Sequence, residues 1–297
     1  MGRTLYVSLL LVAFTGATGI VADAQPVDRF INVNGIELHY LEWGEASNPP
    51  IIMLHGIGRI AHSFSHIADH FADDYHVMAV DMRGHGDSGW SPDGAYFVRD
   101  YVSDIEAMAE EMDLQNIVIW GNSTGGRVAQ MFAGMQSDRM AAVIVEDVGP
   151  ERPTSIANRL AGQIARDDAN GWASVEELTE QLLGQNSRTR PEVTRAYARF
   201  GSKQRDDGRI VWKRDPAIGN DFVPLQHWPY IRQIASPIIY ILGGNSSIVP
   251  VETQVELRRV LPQVELVTMP GLGHYPSEEN PEEFLEIVDE FLAGTTR

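Results

Sequence analysis

Two side chains in this sequence combine into one piece of chemistry: a hydroxyl that needs activating, and an imidazole able to do it. Ser123 lies in the stretch Ile117 to Gly126, Ile-Val-Ile-Trp-Gly-Asn-Ser-Thr-Gly-Gly. An apolar, β-branched run fit for a buried strand stops at Gly121, and Arg127 to Met135 reads as a helix. Gly121-Asn122-Ser123-Thr124-Gly125 between them fits G-x-S-x-G, a sharp strand-to-helix turn whose small residues keep the space around the Ser hydroxyl clear. The helix that follows aims its free N–H groups and positive dipole end at that hydroxyl, which suits a developing oxyanion. A Ser hydroxyl is a poor nucleophile until a base takes its proton. Of nine His residues, His274 has the right setting: Gly271-Leu272-Gly273-His274-Tyr275-Pro276 is a loop that follows the last apolar strand. His55 and His85 sit in Gly-rich loops and read as structural, and His227 could line a pocket.

These residues need a frame that brings distant loops together. Arg29 to Val33 and Ile36 to Trp43 alternate in polarity and are joined by Asn34-Gly35, a strong hairpin signal. Ile51 to Leu54, His76 to Val80, the elbow strand, Ala141 to Val145, Pro237 to Leu242 and Glu265 to Met269 are short apolar runs. Helical patterns at Val98 to Met112, Glu252 to Leu261 and Pro281 to Leu292 separate some of them. The pattern predicts an α/β fold: an eight-stranded, mostly parallel sheet with helices on both faces. Residues 151–232 break the rhythm with helical pieces and no apolar strand run, and read as a helical cap or lid inserted after strand 6. The expected core is therefore 25–150 plus 233–297. Ligands in such sheets bind beyond the carboxyl ends of the strands, where the loops after Leu54, Val80, Gly121, Val145, Leu242 and Met269 converge.

Composition removes several classes of function. The 297 residues carry a formal charge of −18, which argues against nucleic acid or an anionic membrane as partner. With no Cys there is no disulfide, thiolate metal site or Cys nucleophile. Arg3, the apolar run Leu5 to Phe14 and Ala22-Asp23-Ala24 fit a secretory signal over residues 1–24, implying a secreted or periplasmic protein with no stable membrane association after its removal.

Together, His55-Gly56-Ile57-Gly58, Asp81-Met82-Arg83-Gly84-His85-Gly86, Gly121-Asn122-Ser123-Thr124-Gly125-Gly126 and Gly273-His274 resemble the α/β-hydrolase superfamily in motif order. The resemblance covers residues 29–293 and implies Ser123 as nucleophile, His274 as base, and the N–H groups of Ile57 and Thr124 as the oxyanion hole. It further implies that Asp81 holds its own loop. The departure is the third triad member. The family's usual acid follows the seventh strand, but here that loop reads Gly243-Gly244-Asn245-Ser246-Ser247-Ile248-Val249-Pro250, with a Ser at the acid position. Some relatives, certain haloalkane dehalogenases among them, take the acid from the loop after the sixth strand. Glu146, 23 residues after Ser123 and directly following the strand, is the expected acid. Asp147 is the alternative, since strand alternation would turn it the other way.

The expected activity is that of a serine hydrolase acting on a small-molecule carboxylic ester or lactone through an acyl-enzyme, with no cofactor and no metal. Gly-Asn-Ser-x-Gly-Gly is also similar to the elbow of carbon–carbon bond hydrolases that act on ring-fission products, an alternative the same machinery supports. The Ser246-Ser247 loop motivates a third reading, a non-catalytic small-molecule-binding relative.

Overall fold

In the computed structural model, residues 25–152, 162, 164, 166, 167, 169–221 and 225–295 are described. The expected signal, residues 1–24, lies outside them, as does the first part of the expected lid. The chain runs β1 (Val27–Val33), β2 (Ile36–Trp43), β3 (Pro50–Leu54), β4 (His76–Val80), α1 (Val98–Glu111), β5 (Ile117–Asn122), α2 (Thr124–Met135) and β6 (Met140–Glu146). An insertion follows, containing β7 (Glu151–Arg152), α3 (Val175–Gln185), α4 (Pro191–Gly201), β8 (Ser202–Gln204), β9 (Ile210–Trp212), β10 (Leu225–Gln226) and α5 (Trp228–Ile231). β11 (Ile238–Gly243), α6 (Val251–Val260), β12 (Val264–Met269), α7 (Pro276–Glu279) and α8 (Pro281–Thr295) complete it.

Eight strands form one sheet in the order β1-β2-β4-β3-β5-β6-β11-β12. The opening pair is antiparallel, with Val33 opposite Ile36. Asn34 and Gly35 both adopt positive φ, 51° and 76°, as a two-residue hairpin turn requires. β2 runs antiparallel to β4, and every pairing beyond it is parallel. Alternation along the central strands divides the core in two. Ile52, Leu54, Ile117, Ile119, Tyr240 and Leu242 face the side covered by α1 and α2. Ile51, Met53, Val118, Trp120, Ile239 and Ile241 face the side covered by α8. A strand buried on both faces must be apolar at every position, which is why these runs show no polar alternation. Trp120 is completely buried, stacked on Phe284 of α8 at 5.2 Å between ring centres. Its truncation to Ala would cost about 3–5 kcal/mol.

The insertion differs from the helical unit expected. Besides α3 and α4 it contains the β8–β9 hairpin and the β7–β10 pair, each only two or three residues per strand. Runs that short leave no apolar period to detect. Its own small core comprises Trp172, Leu178, Tyr197, Ala198 and Trp212, closed by Ile60 from the loop after β3. No helix among the described residues is long and apolar enough to cross a membrane.

Candidate active site

The elbow is built as the glycine spacing demands. Ser123 adopts φ 51° and ψ −114°, a strained conformation for a non-Gly residue, between the end of β5 and the first turn of α2. α2 starts at Thr124, three residues before the expected Arg127, because Gly125 and Gly126 are already helical. Close approach explains why they are glycines. A Cβ at Gly125 would come within 2.0 Å of the Leu54 carbonyl oxygen, and one at Gly121 within 2.2 Å of the Gly125 carbonyl oxygen. The Gly125 N–H donates to the His55 carbonyl at 3.1 Å, tying the elbow to the loop after β3. The Ser123 N–H donates to the Glu146 carbonyl at 3.2 Å, tying it to the end of β6.

His274 follows β12, and the Asn122 side-chain amide donates to its carbonyl at 3.4 Å, linking the His loop to the residue before Ser123. The carboxylate that meets the imidazole belongs to Asp147: its Oδ2 lies 2.7 Å from His274 Nδ1. The Asp147 side chain is only 1% exposed. Two further donors converge on it. The Gly243 N–H reaches Oδ1 at 3.0 Å, and Ser246 Oγ donates to Oδ2 at 2.5 Å. Ser246, at the position where the resemblance expects an acid, therefore contacts the Asp147 carboxylate as a hydrogen-bond donor.

This corrects the expectation for Glu146. Its side chain is fully buried and engaged by Ser277 instead, with Oε1 accepting from the Ser277 N–H at 2.9 Å and Ser277 Oγ at 2.8 Å. Burial, with the nearby Glu278 and Asp147 charges, outweighs those hydrogen bonds and pushes its carboxyl up to about 8, so it holds its proton at neutral pH. Strand alternation fails here for a definite reason: Asp147 has φ 45°. The left-handed turn ends the strand geometry at Glu146 and swings the next side chain to the sheet edge. Asp and Asn are among the few residues that enter this region readily, and that was the available signal.

A family model for the alpha/beta hydrolase fold matches residues 49–281. The chain belongs to this family. It is similar to the sn-1-specific diacylglycerol lipase ABHD11 of Mus musculus, 27% identical over 84% of this chain and 83% of that protein. A 3-hydroxybutyrate-oligomer hydrolase of Cupriavidus necator is 25% identical over 86% and 92% respectively. Among solved structures, an α/β hydrolase of Novosphingobium aromaticivorans superposes with a TM-score of 0.79 and 28% identity, covering 91% of this chain and 99% of that one. The E-2-(acetamidomethylene)succinate hydrolase structure gives 0.83 over 90% and 99%, at 23% identity.

In this α/β-hydrolase the loop after β3 lies directly against the elbow: a Cβ at Gly56 would stand 3.2 Å from Ser123 Cβ. Ile57 follows it, half-buried, and Thr124 is the first helical residue beyond Ser123. His55 is structural. Its Nδ1–H donates to the Gly56 carbonyl at 2.8 Å while Nε2 accepts from the Met82 N–H at 3.0 Å, and burial pushes its pKa down. His85, completely buried, is pushed down to about 3 by burial and the neighbouring His55. Asp81 holds three segments, accepting from the Ala61 N–H at 2.6 Å, the Asp87 N–H at 2.9 Å and His39 at 2.7 Å. The insertion meets the site at the same loop. Tyr197 of α4 donates its hydroxyl to the Gly58 carbonyl at 2.5 Å. Arg59 is held between the Tyr197 and Tyr275 rings, 4.4 and 4.3 Å from their centres, and paired with Glu278. A cavity of about 210 Å³ opens here, lined by Ile57, Trp172, Leu182, Tyr197, Trp212 and Tyr275 among others.

Proposed function

We propose that this protein is a serine hydrolase that cleaves a carboxylic ester or lactone through an acyl-enzyme. The observation that carries this reading is the 2.7 Å contact between Asp147 Oδ2 and His274 Nδ1, made by a carboxylate shielded from water and held by two other donors. That contact fixes the imidazole tautomer so that Nε2 accepts the Ser123 proton, and places a negative charge against the imidazolium as it forms. Ser123 Oγ attacks the acyl carbon, and the carbonyl oxygen becomes an oxyanion held by the N–H groups of Ile57 and Thr124. His274 then passes its proton to the leaving alkoxide. In the second half, water gives its proton to His274 and its oxygen to the acyl carbon, and Ser123 Oγ leaves with that proton. The insertion acts as a cap, and its aromatic residues line a cavity beside Ile57 and Tyr275, next to the loop that would supply one oxyanion donor. The donation from Ser246 Oγ to Asp147 also supports a catalytic over a non-catalytic reading. The lipase among the relatives favours an ester over a carbon–carbon bond.

The test is labelling with a fluorophosphonate probe, followed by peptide mass analysis, together with turnover of p-nitrophenyl butyrate. Ser123 is expected to carry the label and Ser123→Ala to lose both label and turnover. Undiminished turnover in Ser123→Ala would overturn the assignment.

A further inference from the structure

The turn that presents Ile57 is held from several sides. Its closure is local: the Arg59 N–H donates to the Gly56 carbonyl at 3.0 Å, with Ile57 and Gly58 at the corners and Gly58 at φ 73°. A positive φ at the second corner is what a type II turn requires, and glycine adopts it freely. At the start of the turn Gly56 lies against the elbow, where an added Cβ would stand 2.9 Å from Asn122 Oδ1 and 3.2 Å from Ser123 Cβ. At the second corner the Gly58 carbonyl accepts from the Tyr197 hydroxyl of α4. At the end of the turn the Arg59 side chain packs on the Tyr197 and Tyr275 rings and pairs with Glu278 of α7. Tyr275 directly follows His274, so one side chain joins this turn to the segment that carries the proposed base.

Glu278 gathers the insertion onto the same pair. Its Oε2 accepts from Thr189 Oγ1 at 3.2 Å, and its carbonyl accepts from the Arg190 N–H at 3.2 Å, just before α4 begins. The Arg59 and Glu278 side chains are only 11% and 4% exposed. Burial acts to lower the Arg59 pKa, but the Glu278 charge outweighs it and the net shift is upward, so the guanidinium stays charged. Taking two charges out of water brings little net stability, since apolar residues of similar volume often do as well. What an apolar pair lacks is direction: a guanidinium fork on a carboxylate fixes both distance and angle. The two segments also meet elsewhere, with His66 Nε2 2.9 Å from the Ser277 carbonyl, so their cohesion does not rest on Arg59 alone.

We propose that Arg59 and Glu278 are positioning residues for the oxyanion hole: their pair fixes the turn carrying the Ile57 N–H against the His274 loop, and neither side chain touches the reacting atoms. This rests on the hydrolase reading above. A backbone donor stabilises the oxyanion only within about 2.7–3.1 Å of where that oxygen forms, so a small shift of the turn lowers kcat while ground-state binding is kept.

The test is the double variant Arg59→Met/Glu278→Gln, which removes both charges together and leaves an accepting oxygen for Thr189. It is expected to melt within about 5 °C of wild type, because no buried charge is left unpaired. Its kcat on p-nitrophenyl butyrate is nonetheless expected to fall at least about tenfold, against the roughly 10²–10³ lost when an oxyanion donor is removed outright. KM is expected to stay within about threefold, and the Ki of 1,1,1-trifluoro-2-hexanone, whose serine adduct carries an oxyanion, to rise by about the factor lost in kcat/KM. Wild-type kcat in the folded double variant overturns the proposal. A raised KM with kcat unchanged also overturns it, since Arg59 would then be contacting substrate, and so does a lowered kcat with the inhibitor's Ki unchanged. Should the double variant not fold, Arg59→Lys carries the test, because it keeps the charge and loses the fork: a several-fold lower kcat at an unchanged melting temperature supports the proposal, and an unchanged kcat overturns it. Wild-type protein that neither turns over the ester nor takes a fluorophosphonate label on Ser123 removes the hydrolase reading and this proposal with it, whereas an active wild type with fully active variants removes this proposal alone.

Discussion

Replacing Asp147 by Asn isolates the charge at the proposed acid. Asn has nearly the same shape and tolerates the positive φ of 45° at this position, so the backbone turn is kept. What changes is the electrostatics and the hydrogen bonding. Three donors converge on the carboxylate, from His274, Gly243 and Ser246, and an amide presents only one accepting oxygen to them. Either the imidazole loses its acceptor or its tautomer reverses, and no negative charge faces the imidazolium. The corresponding change in a serine protease lowers kcat roughly 10⁴-fold, or about 5 kcal/mol of transition-state stabilisation. Glu146→Gln is the matched control. Glu146 is protonated at neutral pH, and a Gln oxygen can accept the same two hydrogen bonds from Ser277. Its kcat is expected to stay within about threefold of wild type, a difference under about 1 kcal/mol. The assay is steady-state hydrolysis of p-nitrophenyl butyrate at pH 7.5, with near-ultraviolet circular dichroism to show that each variant is folded. Retention of more than about a tenth of kcat in Asp147→Asn, set against the 10⁴-fold expectation, would refute the reasoning. So would a several-hundredfold loss in Glu146→Gln.

Two further outcomes follow from the geometry around the elbow and beneath it. Gly125→Ala forces a Cβ to within 2.0 Å of the Leu54 carbonyl, where neither the helix nor the strand can yield cheaply. Its melting temperature is expected to fall by more than about 10 °C, or the chain not to fold at all, since steric overpacking of backbone exceeds the roughly 1–3 kcal/mol of ordinary core overpacking; an unchanged melting curve would contradict the close packing of β3 on α2. The Glu146 carboxyl is raised from its ordinary 4.5 to about 8, so the folded state binds more protons than the unfolded state between those values. Stability linked to this group is therefore fully present below pH 4.5 and is lost as pH rises through about 8. Melting temperatures of wild type and Glu146→Gln are expected to diverge over that window in favour of the variant, and parallel curves would show that Glu146 is ionised at neutral pH.

Much of the arrangement is legible in residue order because it depends on local physics. The apolar runs had to be buried on both faces, so a parallel sheet followed. The glycines around Ser123 announced a turn too tight for side chains, and each marks an actual near-contact with backbone. Asn34-Gly35 specified the hairpin from its backbone preference alone. The two-stranded pieces of the insertion were not legible, because two or three residues per strand carry no periodicity and are stabilised by their neighbours in space.

The acid shows where local reasoning ends. Alternation along β6 placed Glu146 toward the site and turned Asp147 away. The fold does the reverse, because Asp147 leaves the strand through a left-handed conformation and meets His274, which lies 127 residues further along the chain. Glu146 accepts two hydrogen bonds from Ser277, and Ser246 becomes a donor to the Asp147 carboxylate. The residue types needed for the chemistry are set by the sequence itself. Which of two adjacent carboxylates faces the imidazole is set by a single φ angle and by hydrogen bonds from loops distant in sequence, and only the folded chain brings those together.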